Sequence, residues 1–492
     1  MIIRRNGILL PLSSLPSPYA IGDLGPPALD FVNFLHRSKQ TLWQLLPLNS
    51  ISPFQHFSPY SSNSSLACST HYLSPELLLQ NGMLERQDLV SLTPPSNFRE
   101  AFFFKTDLAK KALDRLSKPF DSLFEAYCHK NSYWLEDHAL FCILNNHFKG
   151  VSWNTWPGPL RDREPSALSE VGHHFTNQIK LEQFLQFILD YQISELRQAC
   201  HNKGIQIIGD IPFYVNFHSA DVWAHRNLFR LNRDLAPAFL SGVPPDRFSA
   251  TGQLWGNPVY NWKQMARDQF RWWIGRFERM FAFYDMVRID HFRGFVSYWQ
   301  VPAGARTARD GEWVDTPANS FFSTMLRHFP CFPVIAEDLG TIDAKVREVM
   351  NCFGFPGTKV LLFAFDTADP ANPYLPHNYP SNCLAATGTH DTSTTRGWFE
   401  KEADENVKLN LFRYLGREVT SDRIHWELMR LVMMSRANLA VFPMQDILGL
   451  GDEARINTPG TAQGNWLWRM PSDYFDPALE SELAQMTTIF NR

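Results

Sequence analysis

At 492 residues, with 44% apolar and 20% charged residues, the chain is long enough for one large core carrying insertions. Its formal net charge of −4, from 46 basic and 50 acidic residues, excludes a polyanion-binding surface as the main feature and fits a neutral substrate, not nucleic acid. No run of about 18 apolar residues occurs, so no membrane span or membrane partner is expected.

The first stretch, MIIRRNGILLPLSSLPSPYA, places two arginines before an apolar run, as a secretion signal would. Pro11 and Pro16 break that run and no cleavage site follows, so it reads as a buried strand. Further apolar runs follow it. In chain order they are GILLPL (7–12), TLWQLLPL (41–48), IQIIGD (205–210), DMVRID (285–290), PVIAED (333–338), KVLLFAF (359–365), NCLAATGTHD (382–391) and NLAVFPMQD (438–446). Continuous apolarity without alternation marks strands covered on both faces, as in parallel sheets. Between them, 181–199 and 268–284 repeat apolar residues every three to four positions and predict helices. Eight strands alternating with helices predict a (β/α)₈ TIM barrel. The structural alternative is an open doubly wound sheet, but no GxGxxG follows the first strand. The 49–204 gap exceeds one crossover and predicts an inserted subdomain, and 211–265, rich in Pro, Gly and aromatics, predicts a second insertion.

Seven cysteines are scattered without a CxxC pair, which argues against a disulfide framework or zinc site and for a reducing, cytoplasmic compartment. The 15 Trp and 39 Phe are mostly core candidates; those set among Gly, Gln, Asn and Pro are candidates to stack on a ligand.

Chemistry in such barrels sits at the C-terminal strand ends. Five runs end in acids there: Asp210, Asp290, Glu337 with Asp338, Asp391 and Asp446. One such acid is commonly a helix cap or half of a structural ion pair, and Asp210, Asp338 and Asp446 carry that reading equally. Several converging on one rim are costly to bury unless used or paired. Carboxylates and histidines could hold a divalent ion, but Arg288 lies two residues before Asp290, on the same strand face. A permanent cation there opposes a metal and keeps a carboxylate ionised, as a nucleophile requires. An interior Arg–Asp ion pair is the plainer alternative. Retaining glycosyl transfer needs such a carboxylate and a second carboxyl as proton donor, about 5–5.5 Å away. Asp290 and Glu337 end adjacent predicted strands, and the longer reach of Glu suits the donor.

VRIDHFRGF, IAEDLG and TGTHDT, in that order on successive strands, resemble the conserved regions of the α-amylase clan. SLPSPYAIGDLG (14–25), WQLLP (43–47), WNTWP (153–157), GDIPFYV (209–215), GVPPDRFSATGQLWGNPVY (242–260), FPGTKVL (355–361) and RINTPGTAQGNW (455–466) narrow the resemblance to the 4-α-glucanotransferases. That family implies a barrel with inserted subdomains and no separate C-terminal β-domain, so that 1–492 is one catalytic unit. It implies transfer of an α-1,4-glucan segment to the 4-hydroxyl of another glucan or of glucose, with retention and without cofactor or metal. Partners would be maltooligosaccharides, glycogen or starch-derived dextrins. An α-1,4-glucan hydrolase shares the same residues and is the alternative; a non-catalytic glucan-binding barrel is a further one, whose mark would be a lost catalytic carboxylate.

By the same resemblance, Asp290 would be nucleophile and Glu337 acid/base, and Asp391 would hold donor-sugar hydroxyls. Arg288 would orient Asp290, while His390 and His291 would hydrogen-bond that sugar and Asp210 would support the site. Tyr60 would stack under the donor sugar. The loop 246–258 would cover the cleft, bringing Asp246, Phe248, Gln253 and Trp255 near the glucan, its glycines serving either mobility or turns. The chain departs from the family pattern at LACST (66–70), where Phe-Ala-Gly-Asn-Pro is usual. It also departs at Thr358 for Met, Ala20 for Gly and Thr392 for Asn.

Overall fold

The computed structural model describes residues 4–52, 57–90, 93–245, 249–461, 463–471, 473 and 475–492. Eight short parallel strands form its centre: β1 (Arg5–Leu9), β2 (Leu42–Gln44), β3 (Gln206–Ile211), β4 (Met286–Ile289), β5 (Val334–Ala336), β6 (Gly357–Val360), β7 (Cys383–Ala386) and β8 (Leu439–Pro443). Their order is β5-β4-β3-β2-β1-β8-β7-β6. The ends meet where Ala336 N–H donates to Pro356 O at 2.8 Å and Thr358 Oγ1 to Ala336 O at 3.0 Å. Thr358, where the resembling family has Met, therefore fastens the seam. The expected (β/α)₈ barrel is the fold.

Each of the eight apolar runs overlaps a strand, and every strand but β3 is shorter than its run. In PVIAED only Val334–Ala336 pairs, because the two acids turn away to other partners. The helices of 181–199 and 268–284 are observed as Thr176–Asn202 and Arg271–Phe283. Strict alternation fails once. Between β6 and β7 the described residues hold only 3₁₀ turns, since Pro370, Pro373, Pro376 and Pro380 deny a helix its donors.

Between β2 and β3 run a two-stranded antiparallel ladder, Asn49–Ser50 with Ser64–Cys68, and the long helices Phe98–Asp114, Lys118–His147 and Thr176–Asn202. Helix Phe98–Asp114 is tied to the barrel by Lys105, whose buried Nζ lies 2.9 Å from Asp23 Oδ2 and 2.6 Å from His71 O. The LACST departure lies in this ladder, with Gln186 bonded to both Cys68 N and O at 2.8 and 2.9 Å. Its residues do not line the cleft described below. The strands Phe239–Val243 and Gln253–Pro258 join Ser297–Pro302 and Glu312–Asp315 in one antiparallel sheet, so the segments after β3 and β4 build a shared wall. After β8 comes helix Pro477–Ile489, where Glu480 binds the Arg37 guanidinium through two bonds of 2.6 and 2.7 Å.

Ala20 has φ +64°, which explains why glycine is usual there and marks a locally strained alanine. All seven cysteines are free, and among the described residues no helix is long and apolar enough to cross a membrane.

Candidate active site

The strand ends β3, β4 and β5 carry the acids. Asp210 in β3 pairs in register with Arg288 in β4, and Ile289 pairs with Ala336, so Asp290 and Glu337 are the next residues on neighbouring strands. That register sets their backbones roughly 5 Å apart. Arg288 Nη1 lies 2.9 Å from Asp290 Oδ1 and 2.9 and 2.8 Å from the two oxygens of Asp210. Burial opposes the guanidinium's charge, but Asp210 and Asp290 outweigh it and hold Arg288 firmly protonated. One cation thus bridges both carboxylates, which is the arrangement the two-residue spacing predicted, with Asp210 as an added anchor.

Asp210 is fully buried and does not line the cleft. Burial pushes its carboxyl up, against the pull of Arg288. It acts on the cleft through Arg288 and through Tyr60, whose hydroxyl donates to Asp210 Oδ2 at 2.7 Å. Asp338 and Asp446 take the structural reading. Asp338 Oδ1 accepts from Thr358 N at 2.6 Å, and Asp446 accepts from Thr387 and Thr395 in a buried pocket.

Glu337 accepts the backbone N–H of His291 at Oε2 and of Leu339 at Oε1, both at 2.8 Å. Burial pushes its carboxyl up to about 7 despite nearby Arg288 and these two donors, and the Asp290 charge adds to the rise. A carboxyl that half-ionises near neutrality can give and retake a proton. The backbone that makes this possible is unusual. His291 sits at φ +51°, and a Cβ on Gly294 would approach Phe213 to 2.5 Å, so the turn after β4 needs glycine there to close on its aromatic bed.

Also lining the cleft, Tyr60 stacks on His390, ring centroids 5.2 Å apart, with Trp466 5.8 Å from Tyr60. His390 Nε2 is 3.4 Å from Asp391 Oδ2, and Asn457 Nδ2 donates to Asp391 Oδ1 at 2.6 Å. Arg455 donates to the backbone oxygens of Asp391 and Asn457 at 2.8 and 2.9 Å. Arg455, Asn457 and Trp466 had no assigned role in the sequence reading. They sit in RINTPGTAQGNW, whose length as a motif was the available signal.

Gln253 and Trp255 lie on the strand Gln253–Pro258, with Trp255 Nε1 3.2 Å from Gln253 Oε1. Gly252, with φ +68°, closes the turn before this strand, and Gly256, with φ +81°, lies inside the strand where its register against Phe239–Val243 shifts. The edge of Trp255 meets His291 at 4.8 Å. Burial pushes His291 down to about 4, so its ring is neutral at pH 7. Asp246 and Phe248 lie outside the described residues.

Tyr60, Gln253, Trp255, Arg288, Asp290, His291, Glu337, His390 and Asp391 line one cleft of about 1350 Å³. That exceeds the roughly 300–1,000 Å³ of a drug-sized pocket and suits an extended chain. Aromatic faces with a few fixed polar groups suit the C–H faces and hydroxyls of sugars. Among the described residues, one His–Cys–acid group has its ligand atoms within 4.8 Å of one another, His138, Cys142 and Glu182. It lies on the long helices and does not line this cleft.

A family model described as 4-alpha-glucanotransferase matches residues 10–474. A 4-alpha-glucanotransferase of Aquifex aeolicus is 44% identical over 473 residues, covering 96% of each chain. A chloroplastic/amyloplastic 4-alpha-glucanotransferase of Solanum tuberosum is 40% identical, over 99% of this chain and 85% of that one. Among solved structures, an amylomaltase from Streptococcus agalactiae in complex with acarbose superposes with a TM-score of 0.94 at 34% identity, covering 99% of both chains.

Proposed function

The chain belongs to the 4-alpha-glucanotransferase family, and from that membership we propose how its own residues transfer a glucan segment. Glu337, protonated, gives its proton to the glycosidic oxygen while Asp290 attacks the anomeric carbon. The reducing-end fragment leaves and a glycosyl–Asp290 ester remains. A second glucan's 4-hydroxyl then enters, Glu337 takes its proton, and its oxygen displaces Asp290, retaining the α configuration. The energy of one glycosidic bond passes into the next, so no phosphate, nucleotide, cofactor or metal enters the balance.

The observation that carries this reading is Arg288 bridging Asp210 and Asp290 beside a Glu337 held near 7. The cation keeps one carboxylate ready to attack while burial keeps the other ready to protonate. Asp391, oriented by Asn457 and His390, binds donor-sugar hydroxyls, and Tyr60 stacks beneath that ring; Gln253 and Trp255 also contact the glucan. The substrates are α-1,4-linked maltooligosaccharides and larger dextrins such as glycogen. Seven free cysteines support a reducing, cytoplasmic setting.

A glycosyl fluoride tests the roles, because its leaving group needs no acid. With α-maltosyl fluoride, Glu337→Gln forms the covalent intermediate but lacks the base that resolves it. Mass spectrometry of the digested protein is expected to find the maltosyl adduct on Asp290. An adduct on another carboxylate, or turnover of maltotriose at the wild-type rate, would refute the assignment.

A further inference from the structure

The cleft is lined by a tryptophan that none of these roles uses. Trp313 lies on the outermost strand of the antiparallel wall, Glu312–Asp315, and lines the cleft while remaining 38% exposed. An exposed tryptophan can simply shelter the groups beneath it. Here those groups are already fixed. The Arg293 guanidinium stacks on the indole at 3.8 Å, Nη1 donating to Thr341 O at 2.8 Å and Nη2 to Asp343 Oδ2 at 2.8 Å. Trp299 meets the indole ring edge-on, at 5.3 Å and 66°, and its own Nε1 is spent on Ala308 O at 2.8 Å. Trp313 is therefore braced by a stacked cation and a neighbouring indole, while it lines the cleft with part of its surface exposed.

Its position relative to the chemistry follows from the chain. Arg293 stands three residues beyond Asp290, and Thr341 and Asp343 stand four and six beyond Glu337. Leu339, Gly340 and Thr341, which begin two residues after the acid/base, line the cleft together with Trp313. The proton donor's side is where the leaving fragment departs and the acceptor enters, because one carboxyl serves both halves of the cycle. Tyr60, His390 and Asp391, which the proposed function gives to the donor sugar, cluster with Trp466. Resting on the transfer mechanism above, we infer that Trp313 is a stacking platform for a glucose ring of the acceptor chain beyond the one that carries the attacking 4-hydroxyl. A braced indole loses little freedom when a pyranose face covers it, which makes such a platform effective. Trp313 then sets how strongly the enzyme prefers longer acceptors to glucose. Its ligand class is an α-1,4-linked oligosaccharide of at least two rings.

The test varies the acceptor at a fixed, saturating amylose donor: glucose, maltose, maltotriose and maltotetraose, with KM and kcat measured for each. In Trp313→Ala the ratio of KM for maltotriose to KM for glucose is expected to rise about tenfold, the size of one aromatic stacking contact. Trp313→Phe is expected to recover most of the wild-type ratio. An unchanged ratio in Trp313→Ala, or Phe behaving as Ala, would overturn the assignment, as would an equal rise in KM for all four acceptors. Circular dichroism of both variants guards against a folding defect, and the Phe variant keeps the test valid if Ala unfolds. Were the wild-type protein to make no transfer product at all, the transfer mechanism would fail and not the platform.

Discussion

In the proposed cycle Glu337 serves both halves of the transfer. Burial raises its carboxyl to about 7 while two backbone N–H groups aim its oxygens. In the proposed cycle the protonated form acts first, so kcat/KM is expected to fall as pH rises through about 7, approaching tenfold per pH unit beyond it. A pH profile with maltotriose checks this; a flat kcat/KM from pH 6.5 to 9 would contradict it. His291 cannot supply that limb, since burial leaves it neutral from about pH 4 upward. Arg288 shows how far residue-level reading reaches. Its spacing from Asp290 was visible in the chain, and the same-face geometry followed from strand periodicity. Its bond to Asp210 was not visible, because 78 residues separate the two and only sheet register joins them.

At the scale of elements, continuous apolar runs located all eight barrel strands, because a strand covered on both faces must be apolar throughout. Their ends were harder to place. Where a run reaches the barrel mouth, polar residues such as Asp290 and Glu337 leave the ladder for the cleft. The partners that orient them arrive from sequence-distant loops. Tyr60 reaches Asp210 across 150 residues and Asn457 reaches Asp391 across 66, with no periodicity to announce either contact. Element docking makes its own prediction. Lys105 and Asp23 are both buried, and removing one strands the other's charge. Lys105→Met is expected to lose about 3–5 kcal/mol in urea unfolding, with much of that recovered when Asp23→Leu is added. A loss under about 1 kcal/mol for the single variant would show that the pair does not hold helix Phe98–Asp114 in place.

For the molecule as a whole, the barrel supplies the strand ends and the long connections supply the cleft. Tyr60 comes from the segment after β2, Trp255 from that after β3, Trp313 from that after β4 and Trp466 from that after β8. Four aromatic side chains from four separate connections line one groove, which suits a glucan held on both sides of the bond being exchanged. In the proposed cycle, an acceptor held there brings a sugar hydroxyl, and not water, against the glycosyl–Asp290 ester. Transfer and hydrolysis part at this step, since they share every catalytic group. The most direct measurement is the product profile from maltotriose alone, followed together with total reducing ends. Transfer predicts glucose and chains longer than maltotriose, with the number of reducing ends constant. A rising count of reducing ends without any longer chain would contradict it.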